Sequence, residues 1–390
     1  MDNRVIVYTP EPASGAARYV SELVKSVAAA GASVLLFCPS NFAYAADLAA
    51  SGVSVSYSAT RETAAGSLFA RVTRNLRFFG LHFFRQLSLC RPGDVFHVQF
   101  PLYFPLGLVS FILARTRGSR VVFTAHDPVP HKWLLPEFLR TVERGALKLA
   151  YRFSDLIIVH NEADRNLLIQ AFGQPASKIS VVPHGPLTIS NAAHPFSAGN
   201  RLELLLFGSI REDKGIHLAV EAIHRLNMRG KQVRLTIAGA VANARESDYW
   251  ERCKTLIARA GDCIRVEERF IADDELPRLI ADCHAMLLPY TGGNSESGVA
   301  ALALANQRAI IARNVGGLGT LLSAADLGIA IESPTPEAIE HAIEIALSLG
   351  LEALRRKGKT GAELMSSTRS WAEIGRETVK LYGRVNSSRK

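Results

Sequence analysis

The 390 residues contain no Cys-x-x-Cys pair and no cysteine–histidine ligand spacing, and only five cysteines in all. A disulfide framework is therefore not indicated, no metal site is expected, and the pattern fits a reducing compartment. The glycine fingerprint GxGxxG is missing, and with it the usual dinucleotide signature. No short internal repeat or low-complexity tract occurs. The opening "MDNRVIVYTP" has no basic segment leading into an apolar one, so no signal peptide is expected. Long uncharged runs are scarce. The one from Val95 to Ala114 approaches the length of a membrane span, but Pro101, Pro105, Gly107 and the polar His97 and Gln99 interrupt it. A strand, a loop and a buried helix fit it better.

Acidic residues are short in the first half. Through Ala198 there are 19 basic against 12 acidic residues, and thereafter 26 against 24. Such a bias points to a polyanionic partner. No RNA-binding motif accompanies it, so nucleic acid is not expected and an anionic lipid surface is.

What is present is a double series of short apolar strands alternating with helical stretches. The first half holds "RVIVYT", "SVLLFC", "VSVSYS", "DVFHVQF", "RVVFTAHD", "DLIIVHN" and "ISVVPHG". The second holds "LELLLFG", "VRLTIAGA", "IRVEERF", "AMLLPY", "RAIIARN" and "GIAIES". Continuous apolar strands alternating with helices mean parallel sheets covered on both faces. Two series predict two tandem, doubly wound Rossmann-like domains of the α/β class, with ligands bound beyond the carboxyl ends of the strands in a facing cleft. The expected boundaries are residues 1–186, a linker at 187–200, 201–368, and a C-terminal helix at 369–390 that packs back on the first domain.

The strand ends carry the chemistry. After the first strand, Gly15 stands at a helix start whose free amides can receive a phosphate or carbonyl oxygen; an ordinary helix start would read the same way. "VVFTAHDPVPH" delivers His126 and Asp127 from a buried strand, with His131 close behind. An imidazole there can bind a sugar hydroxyl or exchange a proton near neutral pH. In "LELLLFGSIREDKG", Gly208 ends an apolar run, and Arg211 and Lys214 follow at a strand-to-helix junction suited to an anion. In "LLPYTGGNSESGVAALALA", a glycine-rich loop leads into Ser297 and Gly298 at a helix start, a second anion cradle on the same sheet.

Together these segments resemble a glycosyltransferase of the GT-B fold, close to glycosyltransferase family 4. The likeness runs from the Gly15 helix through "HD", "VVPHG", "GSIREDKG", "LTIAGA" and "SGVAALALANQRAII" to the terminal "SWAEI". It implies sugar transfer from a nucleotide donor, a UDP- or GDP-sugar gripped by the second domain, to an acceptor held by the first, with no other cofactor. Arg211 and Lys214 would then bind the diphosphate, Ser297 and Gly298 would meet it at the loop–helix junction, and His126 would touch the donor sugar. The backbone of Arg269, Phe270 and Ile271 would lie by the base. Retention of configuration is the expected outcome. The chain departs from the family's paired glutamates, spaced E-x7-E. Glu296 is present and joins His126 and Asp127 as a candidate catalytic residue, but Leu304 stands eight residues on; aligned on the segment that follows, the positions fall on Asn294 and Leu302. Ser209 replaces the usual arginine after the strand-end glycine.

The segment "RVTRNLRFFGLHFFRQLSLCR" carries five arginines and no acid. At helical spacing Val72, Leu76, Phe79, Phe83 and Leu87 form the expected core stripe. Arg71, Arg74, Arg77 and Arg85 fall opposite with Phe78 and Leu81, a face suited to an anionic bilayer. The reading is a cytoplasmic, peripheral glycosyltransferase that extends a glycan or glycolipid acceptor in polysaccharide or lipopolysaccharide synthesis. A GT-B nucleotide-sugar epimerase and a non-catalytic nucleotide-sugar binder are the alternatives.

Overall fold

Every strand quoted above forms. The computed structural model describes residues 4–59, 68–130, 133, 135–186, 199, 201–292 and 296–387, with the backbone alone at 68–72 and 245. Two compact units divide the chain. One takes in the residues up to Pro183 and resumes at Trp371; the other is His184–Ser370.

The first unit alternates β1 (Val5–Tyr8), α1 (Gly15–Ala29), β2 (Val34–Cys38), α2 (Ala45–Ala50), β3 (Ser54–Tyr57) and α3 (Leu68–Leu89). It continues with β4 (Val95–Val98), α4 (Gly107–Thr116), β5 (Arg120–Thr124), α5 (Arg140–Phe153), β6 (Leu156–Val159), α6 (Glu162–Phe172) and β7 (Ile179–Val181). The second unit runs β8 (Leu202–Phe207), α7 (Ile216–Met228), β9 (Val233–Gly239), α8 (Ser247–Ala260), β10 (Ile264–Glu268) and α9 (Leu276–Ala281). It closes with β11 (Ala285–Leu288), α10 (Gly298–Ala305), β12 (Ala309–Arg313), α11 (Gly316–Ala324), β13 (Gly328–Ile331), α12 (Pro336–Leu349) and α13 (Leu351–Thr368). The chain then returns to the first unit as α14 (Trp371–Ser387).

Both sheets are parallel, in the orders β3-β2-β1-β4-β5-β6-β7 and β10-β9-β8-β11-β12-β13. Val5 pairs with Val34 on one side and Val95 on the other, so β1 is central and its four residues are buried. In β8, Leu202, Leu204 and Leu206 pack with Ile223 and Trp250 on one face, while Leu205 packs with Met286 and Ala300 on the other. Alternate side chains of a strand point to opposite faces, so a sheet covered twice needs an unbroken apolar run. The order of connections reverses between β1 and β4 and between β8 and β11. These are the switch points at which open parallel sheets leave a crevice.

α14 lies along α1. Ile374, Leu381 and Tyr382 are buried there, and a Cβ on Gly375 would stand 2.4 Å from the Ser26 carbonyl oxygen. Glycine is what allows the two helices to approach that closely. The segment Val95–Ala114 forms β4, a loop and most of α4, and no helix among the described residues is long and apolar enough to cross a membrane.

α3 departs from the expected stripe. Leu76 is 68 % exposed, whereas Phe78 packs on the core beside Phe79 and Phe83, and His82 and Gln86 are buried. The packed face contains polar residues, and Gln86 Nε2 donates to the Ser110 carbonyl of α4 at 2.7 Å. A stripe drawn through apolar residues alone shares Phe79 and Phe83 with this face and misses its polar members. Val72 and Arg71 lie where only backbone is described.

Candidate functional site

At the β8/β11 switch point, two loops are held against each other. After Gly208 (φ 119°) the chain passes Arg211 and turns through Glu212–Lys214 to Gly215 (φ 69°). A Cβ on Gly215 would fall 2.2 Å from the Pro289 carbonyl oxygen, so the close approach as well as the backbone angle selects glycine. The Thr291 amide donates to the Asp213 carbonyl at 2.9 Å, locking the β11 loop to the β8 loop.

Side chains complete the junction. Lys214 Nζ sits 3.7 Å from the centre of the Tyr290 ring, a cation–π contact. The Tyr290 hydroxyl lies 3.2 Å from Ser297 Oγ, and Ser297 caps α10 by accepting from the Ala300 amide. The other first-turn amides of α10, beginning at Gly298, have no acceptor within the helix and bear its positive end. Arg211 Nη2 pairs with Asp213 Oδ2 at 2.8 Å, while its buried Nε has no partner among the described residues. Arg211, Lys214, Ser297 and Gly298 thus lie on the two loops of one switch point. Gly293, Asn294 and Ser295 of the glycine-rich loop lie outside the described residues.

Glu296 faces elsewhere. Its Oε2 accepts from Arg369 Nη1 at 2.5 Å and from the His184 amide at 3.2 Å, with Gly317 of α11 packed against it. Both partners of this ion pair are well buried. Leu302 and Leu304, the two alternatives for a second glutamate, are fully buried in apolar core. Arg269 projects beside the edge strand β10 and pairs with Glu275 and Glu267. Phe270 is exposed, and Ile271 is buried in the cluster that contains Tyr290.

In the first unit, His126 follows β5 in a row of strand-end side chains. Its Nε2 is 3.2 Å from Gln99 Oε1, just past β4, and its Nδ1 is 3.0 Å from His160 Nε2, just past β6. His160 Nδ1 donates to the Val182 carbonyl at 2.9 Å. A neutral His160 therefore accepts at Nε2, and His126 Nδ1 carries a proton whichever way the Gln99 amide is turned. Gln99 continues the chain to His97, 2.8 Å away, which meets Thr124 Oγ1 at 2.7 Å and the Tyr382 hydroxyl of α14 at 2.6 Å. Phe100 stacks on the His126 ring with centroids 4.2 Å apart, and Tyr19 of α1 meets it edge-on. Asp127 is exposed beyond it, and His131 lies outside the described residues.

Gly15 opens α1, whose preceding residue Ser14 has φ 116° and caps with no side-chain bond. Of the α3 arginines, Arg74, Arg77 and Arg85 line a surface cavity with Phe78. The sequence reading missed Gln99, His160, Tyr290 and Arg369. A histidine within two residues of a strand end occurs in both "TAHD" and "VHN", and that recurrence was the available signal for His160.

Residues 13–186 match the family described as Glycosyltransferase Family 4, and residues 191–364 match Glycosyl transferases group 1. Among curated proteins, a glycogen synthase of Mycobacterium tuberculosis (strain ATCC 25618 / H37Rv) is 25 % identical over 241 residues, 59 % of this chain and 54 % of that protein. The chain thus spans about half the length of the curated relatives it matches. Among solved structures, sucrose-phosphate synthase from Thermosynechococcus elongatus superposes with a TM-score of 0.76 at 17 % identity, over 99 % of this chain and 100 % of that one. Anabaena HepE in complex with UDP-glucose gives 0.74 at 17 % identity, over 99 % of both chains.

Proposed function

For a chain that belongs to the GT-B glycosyltransferases and resembles family 4, we propose transfer of a sugar from a nucleoside-diphosphate sugar to a glycan acceptor. The observation that carries this reading is the β8/β11 junction, where Lys214, Arg211 and the start of α10 gather around one switch point. Breaking the glycosidic bond leaves a further negative charge on the departing diphosphate. Fixed cations and amides offset that charge without having to reorganise during the reaction. Arg211 would exchange Asp213 for a phosphate oxygen, and Lys214 would keep its aromatic support. UDP or GDP is the nucleotide this reading calls for, and retention is its stereochemical outcome.

His126 takes the donor-sugar contact in this reading. Both its nitrogens already have neighbours, so a sugar hydroxyl would replace Gln99 at Nε2. Glu296, tied to Arg369, acts as a strut for the loop before α10; the ribose contact passes to other groups. The acceptor is lipid-linked and the enzyme works at the inner face of a membrane. This rests on α3, where Leu76, Leu81 and Phe84 are exposed among Arg74, Arg77 and Arg85. Polysaccharide or lipopolysaccharide assembly supplies such acceptors.

The test is calorimetry with UDP and GDP, followed by incubation of UDP-glucose with and without a glycolipid extract. Nucleotide binding with acceptor-dependent release of UDP supports transfer. Turnover of the nucleotide sugar alone into an epimer would replace this reading with an epimerase, and binding with no turnover would leave a nucleotide-sugar binder.

A further inference from the structure

The first unit has a switch point of its own, between β1 and β4, and a cavity of about 280 Å³ opens there. Its wall comes from the loops after β1 (Glu11), β3 (Ser58) and β4 (Leu102, Tyr103) and from Phe79 and His82 of α3. A second cavity, about 490 Å³, shares Ser58, Ala59 and Phe78 with the first and is lined by Arg74, Arg77 and Arg85. Its size is within the range of small-molecule sites, about 300–1,000 Å³.

His82 is the informative residue. It is 1 % exposed, and among the described residues neither ring nitrogen has a hydrogen-bond partner. The rings of Tyr8, Phe37 and Phe78 surround it. A buried polar group left unsatisfied is costly and rare, and it calls for an occupant that satisfies it. Burial keeps the ring neutral, with one donor and one acceptor, and the residue lines the cavity. Glu11 adds a carboxyl group, and aromatic rings supply flat apolar walls. The combination suits a hydroxyl-bearing ring. The neighbouring cavity has three guanidinium groups on a helix with no carboxylate of its own, and Arg85 also holds the Tyr57 carbonyl at 3.0 Å. Planar guanidinium forks match phosphate oxygens.

We infer that the two cavities form one acceptor site for a phosphorylated sugar, with its hydroxyl-bearing ring against Glu11 and His82 and its phosphate among Arg74, Arg77 and Arg85. This rests on the transferase reading above. It deepens that reading by giving the acceptor its chemical class. The phosphate has two possible sources, a soluble sugar phosphate or a lipid-linked one.

The experiment uses the full chain and two probes. Glucose 6-phosphate is titrated by calorimetry beside free glucose and inorganic phosphate. Co-sedimentation is measured with phosphatidylcholine vesicles carrying a polyprenyl-phosphate-linked glucose, beside vesicles without it. Binding in the first arm identifies a soluble acceptor and binding in the second a lipid-linked one. In the arm that binds, His82→Leu and Arg77→Gln should each weaken affinity about tenfold or more. His82→Leu should fold at least as well as the parent, because it removes an unsatisfied buried polar group. Arg77→Gln should also erase the preference for the phosphorylated probe over its unphosphorylated counterpart. Binding in neither arm, or binding that either variant leaves intact, overturns the site. UDP affinity measured on the same preparations separates the two readings. UDP bound without either acceptor probe sinks this site alone, whereas loss of UDP binding sinks the transferase reading.

Discussion

Lys214 owes its position to three neighbours. Gly215 lets the loop turn beneath Pro289, Thr291 ties that loop to Asp213, and the Tyr290 ring lies under the ammonium. A cation held in this way gains from a phosphate without first being ordered. Lys214→Ala should therefore lower nucleoside-diphosphate affinity by about 1.5–3 kcal/mol, the range for a charge-assisted hydrogen bond, or roughly 10- to 150-fold. Calorimetry with UDP reads this directly, and an unchanged affinity would take Lys214 out of the site. For His126 the expected split is different. Its contact is to the sugar, so His126→Ala should depress kcat far more than donor affinity. Gln99→Leu, which spares the ring but removes its neighbour at Nε2, should reduce kcat less than His126→Ala does. Equal losses of stability and activity in His126→Ala, with turnover per folded molecule preserved, would assign the ring to packing.

At the scale of elements, the thirteen strands of the described residues were legible, most of them as the continuous apolar runs a twice-covered parallel sheet requires; the edge strands β3 (SVSY) and β10 (IRVEE) mix in polar residues and are only partly buried. The lateral order of the strands was not legible. His126 meets Gln99 and His160 only because β5 lies between β4 and β6, and no local pattern encodes which strands become neighbours. The ion pair of Glu296 with Arg369 spans 73 residues and was invisible for the same reason. α3 failed in another way. Its packed face joins His82 and Gln86 to Phe78, Phe79 and Phe83, so a purely apolar stripe caught only Phe79 and Phe83 of that face and wrongly included Leu76, which is in solvent. The exposed face still supports a test. If it meets anionic lipid at about 1 kcal/mol per arginine, changing Arg74 and Arg77 to Gln should weaken binding to anionic vesicles roughly thirtyfold at low salt. Co-sedimentation equal to the parent's would exclude this helix as the docking surface. For α14, Gly375→Leu should force the helix off α1 at a cost of about 1–3 kcal/mol, the range for overpacking. That should appear as a lower Tm, and an unchanged Tm would mean α14 can slide along α1.

For the whole molecule, two buried histidines set a pH dependence. Burial pulls His97 down to about 3 and His82 down to about 4. In the unfolded chain both titrate near the ordinary value of about 6.5. Between those limits the unfolded state binds more protons, so stability falls as pH drops from about 6.5, and above that window neither group contributes a slope. Each can supply up to about 1.4 kcal/mol per pH unit. Urea unfolding from pH 7 to pH 5 should show this loss, and His82→Leu should reduce the slope by about one proton. An undiminished slope would mean that His82 is hydrated or already charged in the fold. The return of α14 to the first unit has a consequence for how the protein is made. Domains generally fold as units while the chain emerges from the ribosome. Here the unit begun first cannot be finished until Trp371–Ser387 has been synthesised, whereas His184–Ser370 is continuous and complete before then. The later-made half is thus the first able to fold to completion, and the earlier half must wait, with the α1 surface that α14 will cover still exposed.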